Sequence, residues 1–337
     1  MRVIGIDPGT RTYDFVVLED GIFAEELTMP TEVIKKKPGK IIEFIKNLDP
    51  ALVSAPSGYG LPFKKISELN DNDFFLVNLK KSNNGNVLKF SNLGLTKFLK
   101  LLVENKIPGY VIPGVKHLPT VPTYRKINKI DMGTPDKVCS TALAVSGYKN
   151  YSDASFILAE IGSAFNAFIA AEKGKIIDGI GGTLASSGMM SSGKMDGEVA
   201  YLLGGFEKEV LFEGGAKDID KKFKDDYFIE GILKDISQLL AVSDAKAIIL
   251  SGGMPGKLEI ENKIKIKIKR NKIKIKKLKG LKGSLNSSHA AQGAAIIADG
   301  LCGGKYKELI EHLELKNASG TVFDYLYQGD LKNFHLI

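Results

Sequence analysis

The sequence predicts an α/β protein made of two similarly ordered halves. Three observations lead there. The chain opens on a buried strand that reaches Asp7 and is cut by Pro8-Gly9, with two more strands close behind. The order strand, acidic residue, glycine turn, strand, turn, strand comes again from Ser155, a repeat of architecture rather than of letters. Amphipathic helices separate these runs, and a late strand, Ala247–Leu250, ends in Ser251-Gly252-Gly253.

The opening stretch, Val3–Thr12, reads Val-Ile-Gly-Ile-Asp-Pro-Gly-Thr-Arg-Thr. It places a carboxylate at a strand end beside a tight turn, a hydroxyl (Thr10) and a cation (Arg11). A glycine turn lets backbone N–H groups approach a phosphate, and a strand-end Asp can hold hydrated Mg²⁺. The same residues also make a plain hairpin with an Asx turn. Asp14–Leu18 is the second strand, and Asp20-Gly21 is a type I′ turn signal leading into Ile22–Thr28. A helix over Lys40–Asn47 and a strand at Ala51–Ala55 complete an RNase H-like opening.

Residues 56–130 read as an insertion. It holds a strand at Asp73–Asn78, a helix over Asn92–Glu104, a short strand at Tyr110–Ile112 and a proline-marked connection. Asp131-Met-Gly-Thr-Pro-Asp-Lys137 then opens a helix, with Thr134 as N-cap and Pro135 at its first position. This is a complete structural signature. It also sets Asp136 and Lys137 at a helix N-terminus suited to an anion.

In the second half, Ser155–Glu160 runs into Gly162-Ser163, and strands follow at Phe168–Ala171 and Ile176–Ile180. Helices are expected at Gly197–Leu203 and Asp226–Leu239. Paired glycines after a strand allow a flat ligand to approach the backbone at Gly252, Gly253 and Met254. Isoleucines then alternate with lysines, which predicts a basic β-hairpin at 261–279: an edge hairpin kept soluble by lysine, or a polyanion-binding ribbon. Ser287–Ala298 is a small-residue helix suited to tight contact, as at a hinge between domains.

Charge narrows the function classes. The formal net charge is +8, but Lys257–Lys282 holds twelve Lys or Arg against Glu259 and Glu261, a local +10. The remainder sums to −2, so the high pI does not mark a nucleic-acid binder. No apolar stretch reaches the length of a membrane span, and no signal peptide is recognised. Two distant cysteines and four scattered histidines offer no zinc spacing; a reduced, cytoplasmic protein is expected.

Taken together, the motifs resemble the acetate kinase–sugar kinase–Hsp70–actin superfamily. Ile4–Thr10 resembles its first phosphate loop, Glu160–Asn166 its second, Ile249–Gly253 its adenosine motif and Ala290–Ala295 its second connecting helix. More closely, the Gly-Lys-Ile-Ile-Asp turn and the downstream Gly-Gly resemble the butyrate kinase branch, and the whole chain is similar to a butyrate kinase-like archaeal family (DUF1464-like). Glu160 departs from the Asp common at that point, and no His-Gly-Thr segment of the acetate kinase kind is present.

The resemblance implies two RNase H-like (actin-like ATPase) domains with an interdomain nucleotide cleft. The expected division is 1–150, 151–300 and a C-terminal segment, 301–337, returning to the first domain. ATP and Mg²⁺ are the implied cofactors. Asp7 and Glu160 would serve the metal, Gly9, Thr10, Gly162 and Ser163 the phosphates, and Gly252, Gly253 and Met254 the adenosine. Of four arginines, Arg11 and Arg125 are placed to clamp a carboxylate or the moving phosphoryl group. A hydroxyl acceptor would need a base, with Asp136 or Asp14 the candidates. The expected function is a kinase acting on a small anionic acceptor. The alternatives are an ATP-dependent regulatory protein of the same fold and an RNase H-like nuclease. A homodimer is compatible with all three.

Overall fold

The computed structural model describes residues 1–9, 11–37, 39–79, 93–253, 262–264 and 273–329. The chain divides into two compact units: Met1–Ile130, Thr134–Tyr151 and Lys279–Ile337 form the first, and Asp131–Gly133 with Ser152–Leu278 form the second.

The first unit begins with β1 (Arg2–Pro8), β2 (Thr12–Glu19) and β3 (Ile22–Pro30), followed by α1 (Thr31–Lys36), α2 (Gly39–Leu48) and β4 (Leu52–Pro56). Then come β5 (Lys64–Lys65), α3 (Asp71–Asn78), α4 (Leu93–Glu104), β6 (Gly109–Ile112), α5 (Thr123–Lys126) and α6 (Pro135–Ser146). The second unit holds β7 (Phe156–Ile161), β8 (Asn166–Glu172), β9 (Lys175–Ile180), α7 (Gly197–Leu203), α8 (Lys221–Leu240), β10 (Ala247–Ser251) and β11 (Lys274–Lys277). The chain then returns to the first unit with α9 (His289–Leu301) and α10 (Lys307–His312).

The two sheets share one topology. The first runs β3-β2-β1-β4-β6-β5 and the second β11-β10-β7-β8-β9. In each, the first three strands form an antiparallel meander and two more add in parallel beside the first, β4 and β6 in one and β10 and β11 in the other; the first sheet also carries β5, antiparallel to β6 at its edge. Even the hairpins match. Asp20-Gly21 and Lys173-Gly174 both have positive φ at the two central positions, 49° and 72° against 49° and 76°, as a type I′ turn requires. Each hairpin also carries a register shift, at Val17/Leu18 and at Ala170/Ala171.

The first sheet is buried on both faces. Ile4, Ile6, Phe15 and Val53 pack with Ile41 and Ile45 of α2 and with Phe98 and Leu102 of α4. On the other face lies α9. A Cβ on Gly5 would overlap the backbone of Ala291 and Ala295, and one on Gly293 the backbone of Cys139 in α6. The small residues of α9 thus let it sit directly on β1 and α6, and it belongs to the first unit. The stretch that returns to the first unit starts at Lys279 and includes α9. In the second unit, Ile157, Ala159, Phe168 and Ile248 pack against Phe228, Ile232 and Ile236 of α8.

Three other expectations change. Asp73–Asn78 is helical, because Asn70 and Asp73 form a reciprocal capping box (Asp73 N to Asn70 Oδ1, 3.2 Å; Asn70 N to Asp73 Oδ2, 2.8 Å). The 56–130 stretch is not wholly an insertion, since β6 is the fifth strand of the shared topology. Among the described residues of 261–279 there is no paired hairpin: residues 262–264 form a helical turn that buries Ile264, and β11 pairs in parallel with β10. The lysine-isoleucine alternation instead supplies the edge strand of the second sheet, where exposed lysines discourage strand addition. Residues 261 and 265–272 of the predicted hairpin lie outside the described residues.

Candidate functional site

In the first unit the site is built where β1 ends. Asp7 faces Asp14 across the β1–β2 ladder. Both carboxylates meet Ser288, the N-cap of α9: Ser288 Oγ donates to Asp7 Oδ2 at 2.7 Å, and Ser288 N donates to Asp14 Oδ2 at 3.0 Å. The second oxygen of Asp14 is buried and has no hydrogen-bond partner among the described residues. An acceptor atom left bare beside a second carboxylate is suited to a cation or its water shell. Asp7 and burial together raise the Tyr13 hydroxyl pKa, burial contributing most.

Glu26, from β3, anchors the same loop. Its carboxylate accepts from Ser284 Oγ (2.7 Å), Leu285 N (3.0 Å), Asn286 N (2.8 Å) and Ser287 N (3.1 Å). Partial burial works against the charged form, yet the Ser287, Ser284, Leu285 and Asn286 donors prevail and bring its pKa down to about 2.

The turn after Asp7 is tight. Gly9 N donates to Asp7 O at 3.1 Å, and Thr31 Oγ1 donates to Gly9 O at 3.0 Å. A Cβ on Gly9 would sit 2.7 Å from Thr12 O. Arg11 is exposed just beyond; Thr10 lies outside the described residues.

The second unit builds a counterpart at the end of β7. Glu160 pairs with Ser251 of β10 and is half-buried. Gly162 N donates to Phe165 O at 3.1 Å, closing the turn, and Ser163 follows it half-buried. Gly252 has φ +94°, and a Cβ there would overlap the backbone of Ile161. The fold therefore brings Gly252 against the turn that holds Gly162 and Ser163. At Gly253 a Cβ would meet no described residue within 4 Å. Met254 lies outside the described residues.

Both Gly9 and Gly162 were expected to offer N–H groups to phosphate. In the structure each of those amides donates inside its own turn, Gly9 N to Asp7 O and Gly162 N to Phe165 O.

Asp136 and Arg125 stand elsewhere in the first unit. At the start of α6, Thr134 Oγ1 donates to Asp136 Oδ1 at 2.5 Å instead of capping the helix backbone, and the Lys137 ammonium pairs with the other oxygen. Burial opposes ionisation of Asp136, but Lys137 outweighs it and holds the carboxyl pKa below its usual range. Arg125 lies on α5, its guanidinium 5.9 Å from the Tyr124 ring centre, in a turn laced to the C-terminal segment by Asn128 N donating to Tyr325 O. Among the described residues, no group of three or more His, Cys, Asp and Glu is placed to hold a metal ion. No helix of the described residues is long and apolar enough to cross a membrane.

Ser288 and Glu26 were not foreseen as site residues. Ser288 had a local signal, a hydroxyl residue just ahead of an apolar helix; Glu26 had none, since its partners lie some 260 positions away.

Two units that share a five-strand order, each with an acid-tipped first strand and a tight glycine turn, define an actin-like ATPase fold. Solved structures agree on the fold. The acetate kinase of Entamoeba histolytica superposes with a TM-score of 0.55 at 12% identity, over 80% of this chain and 87% of that one. The acetate kinase of Porphyromonas gingivalis gives 0.53 at 12% identity, over 87% and 98%. No curated protein matches in sequence. The chain belongs to the family described as "Protein of unknown function (DUF1464)", which it matches over residues 5–328.

Proposed function

We propose that the protein is an ATP-dependent phosphotransferase whose acceptor is a small carboxylate. The observation that carries this reading is the duplicated turn: Asp7–Gly9 in one sheet and Glu160–Gly162, backed by Gly252, in the other. Asp7 and Asp14 fit Mg²⁺, which takes one or two carboxylates and completes its shell with phosphate oxygens and water. When bound, that ion supplies neutralisation of the phosphate charge. Glu160 is the corresponding strand-end carboxylate of the second unit. In the first unit Arg11 is the described candidate for a phosphate contact, and in the second Ser163 is, while Gly252 and Gly253 offer a nucleoside a surface without side chains. That both named neighbours are acetate kinases agrees with this choice of acceptor.

Asp136 favours a carboxylate over a hydroxyl. A carboxyl held ionised by Lys137 and Thr134 is a weak proton acceptor, and a hydroxyl acceptor needs a base. A carboxylate acceptor is already anionic and needs a cation, for which Arg11 and Arg125 are the candidates.

The test is ATP turnover with a panel of short carboxylic acids, the acyl phosphate being trapped with hydroxylamine. Arg125→Lys is expected to lose at least about tenfold in kcat/KM, and Asp136→Asn to keep most of it. The reverse order would assign a hydroxyl acceptor. ATP binding with no transfer to any acid would favour a regulatory ATPase.

A further inference from the structure

The turn that follows Glu160 rests on a platform from its own unit. Ala164 O accepts from Met190 N at 3.0 Å and from Ser191 N at 3.4 Å, and Asn166 Nδ2 donates to Ser187 O at 3.0 Å. Asn166 is fully buried and its Oδ1 has no hydrogen-bond partner among the described residues, so the bond to Ser187 is what fixes its side chain. A Cβ on Gly188 would sit 2.8 Å from Ala164 O, which shows how closely the platform lies against the turn. The platform is pinned in turn to α8. Asp235 accepts from Ser186 N at 2.7 Å and from Ser186 Oγ at 2.6 Å. Ser187 Oγ donates to Phe228 O at 3.0 Å, in a space that a Cβ on Gly231 would fill.

Asp235 is the costly member of this chain of contacts. It is 1% exposed, on the α8 face otherwise formed by Phe228, Ile232 and Ile236. Its hydrogen-bond donors are neutral: Ser186 and, at 3.5 Å, Gln238 Nε2. Taking a carboxylate out of water is expensive where only neutral donors receive it, and an apolar side chain would pack that position at lower cost. Helix packing therefore does not account for Asp235; its two bonds to Ser186 do.

We propose that Asp235 is a positioning residue for the turn Gly162–Asn166. Through Ser186 and Ser187 it fixes Asn166, and through the same platform Ala164, the neighbour of Ser163. The ligand of that turn, a nucleotide phosphate, rests on the phosphotransferase reading; the chain of bonds behind the turn does not.

Two measurements on the full chain test this. The first is hydrogen exchange without nucleotide. In Asp235→Ala, peptides spanning Gly162 and Met190 are expected to exchange at least about tenfold faster, while those of β1 and β2 stay as in wild type. The second is calorimetric titration with ATP and Mg²⁺, where the same variant is expected to bind at least about tenfold more weakly. Asp235→Asn still accepts from Ser186 N and can donate to Ser186 Oγ, so it should return both readings to within about threefold of wild type. Ile232→Val trims the same buried face without touching those bonds and should leave both readings unchanged. Unaltered exchange at Gly162 in Asp235→Ala overturns the proposal. So does an Asn variant no better than Ala, and so does an Ile232→Val effect of equal size. Wild type that binds no ATP ends the nucleotide reading, and the exchange measurement then decides by itself whether Asp235 holds the turn.

Discussion

The Ser288 hydroxyl is used twice: it donates to Asp7 Oδ2 at 2.7 Å and accepts from Ala291 N at 3.1 Å. One atom thereby caps α9 and fixes the carboxylate at the end of β1, so helix position and site geometry are coupled. Ser288→Ala removes both bonds. It is expected to lower unfolding free energy by about 2 kcal/mol, about 1 for the cap and about 1 for the buried bond. Urea unfolding measures this. Ser288→Thr, which keeps the hydroxyl, should recover most of the loss. If Ala and Thr unfold alike, the hydroxyl does not hold the helix.

Glu26 ties β3 to the loop ahead of the same helix, and its pKa near 2 makes the tie pH-dependent. A carboxyl depressed from 4.5 to about 2 contributes stability that is present above pH 4.5 and is lost as pH falls toward 2. Glu26 is partly solvated, so screening reduces that contribution to about 1 kcal/mol. Glu26→Gln should cost about that at pH 7 and flatten the acid limb of the stability profile between pH 4.5 and 2. An unchanged acid limb would show that the loop is held by its other contacts.

Glycines of two kinds separate packing from ligand approach. Gly5 lies against the α9 backbone, so Gly5→Ala should destabilise by about 3 kcal/mol or more, beyond ordinary overpacking. A Cβ on Gly253 would meet no described residue within 4 Å, and Gly253→Ala should change stability by less than about 0.5 kcal/mol. Under the proposed nucleoside role, the same change should weaken ATP binding at least about tenfold by calorimetry. Full ATP affinity in Gly253→Ala would remove that residue from the site.

The amount legible beforehand follows from the range of each interaction. Strands and turns depend on neighbours in sequence, so the meanders around Asp20-Gly21 and Lys173-Gly174 and the strand-end Asp7 and Glu160 could be read directly. The period-two lysine run announced a strand at Lys274–Lys277, but periodicity says nothing of direction or partner, and the parallel pairing with β10 comes from the shared topology. The apolar run at Asp73–Asn78 has the composition of a strand, and it is the Asn70-x-x-Asp73 capping box just ahead of it that makes it a helix. The alanines and glycines of α9 promised close contact without naming the surface; only Gly5 and Cys139 show which one. Glu26 and Ser288 reach partners hundreds of residues away, and a single sequence carries no trace of that.

His117 supplies the last prediction. It is buried to 2% exposure between Gly114 and the C-terminal segment, and neither ring nitrogen has a hydrogen-bond partner among the described residues. Burial lowers its pKa from 6.5 to about 4, so it is neutral in the folded protein near pH 7. The unfolded chain binds a proton below pH 6.5 that the folded chain refuses until about pH 4, and stability must fall as pH drops through that window. The full loss is on the order of 3 kcal/mol. It lies mostly above the range where Glu26 titrates, so the two groups can be told apart in one profile. His117→Phe keeps a ring of similar size and cannot take the proton. Thermal unfolding from pH 7 to pH 4 should therefore show the variant losing less stability than wild type by about that amount; parallel curves would mean that His117 reaches a proton acceptor or solvent in the folded state.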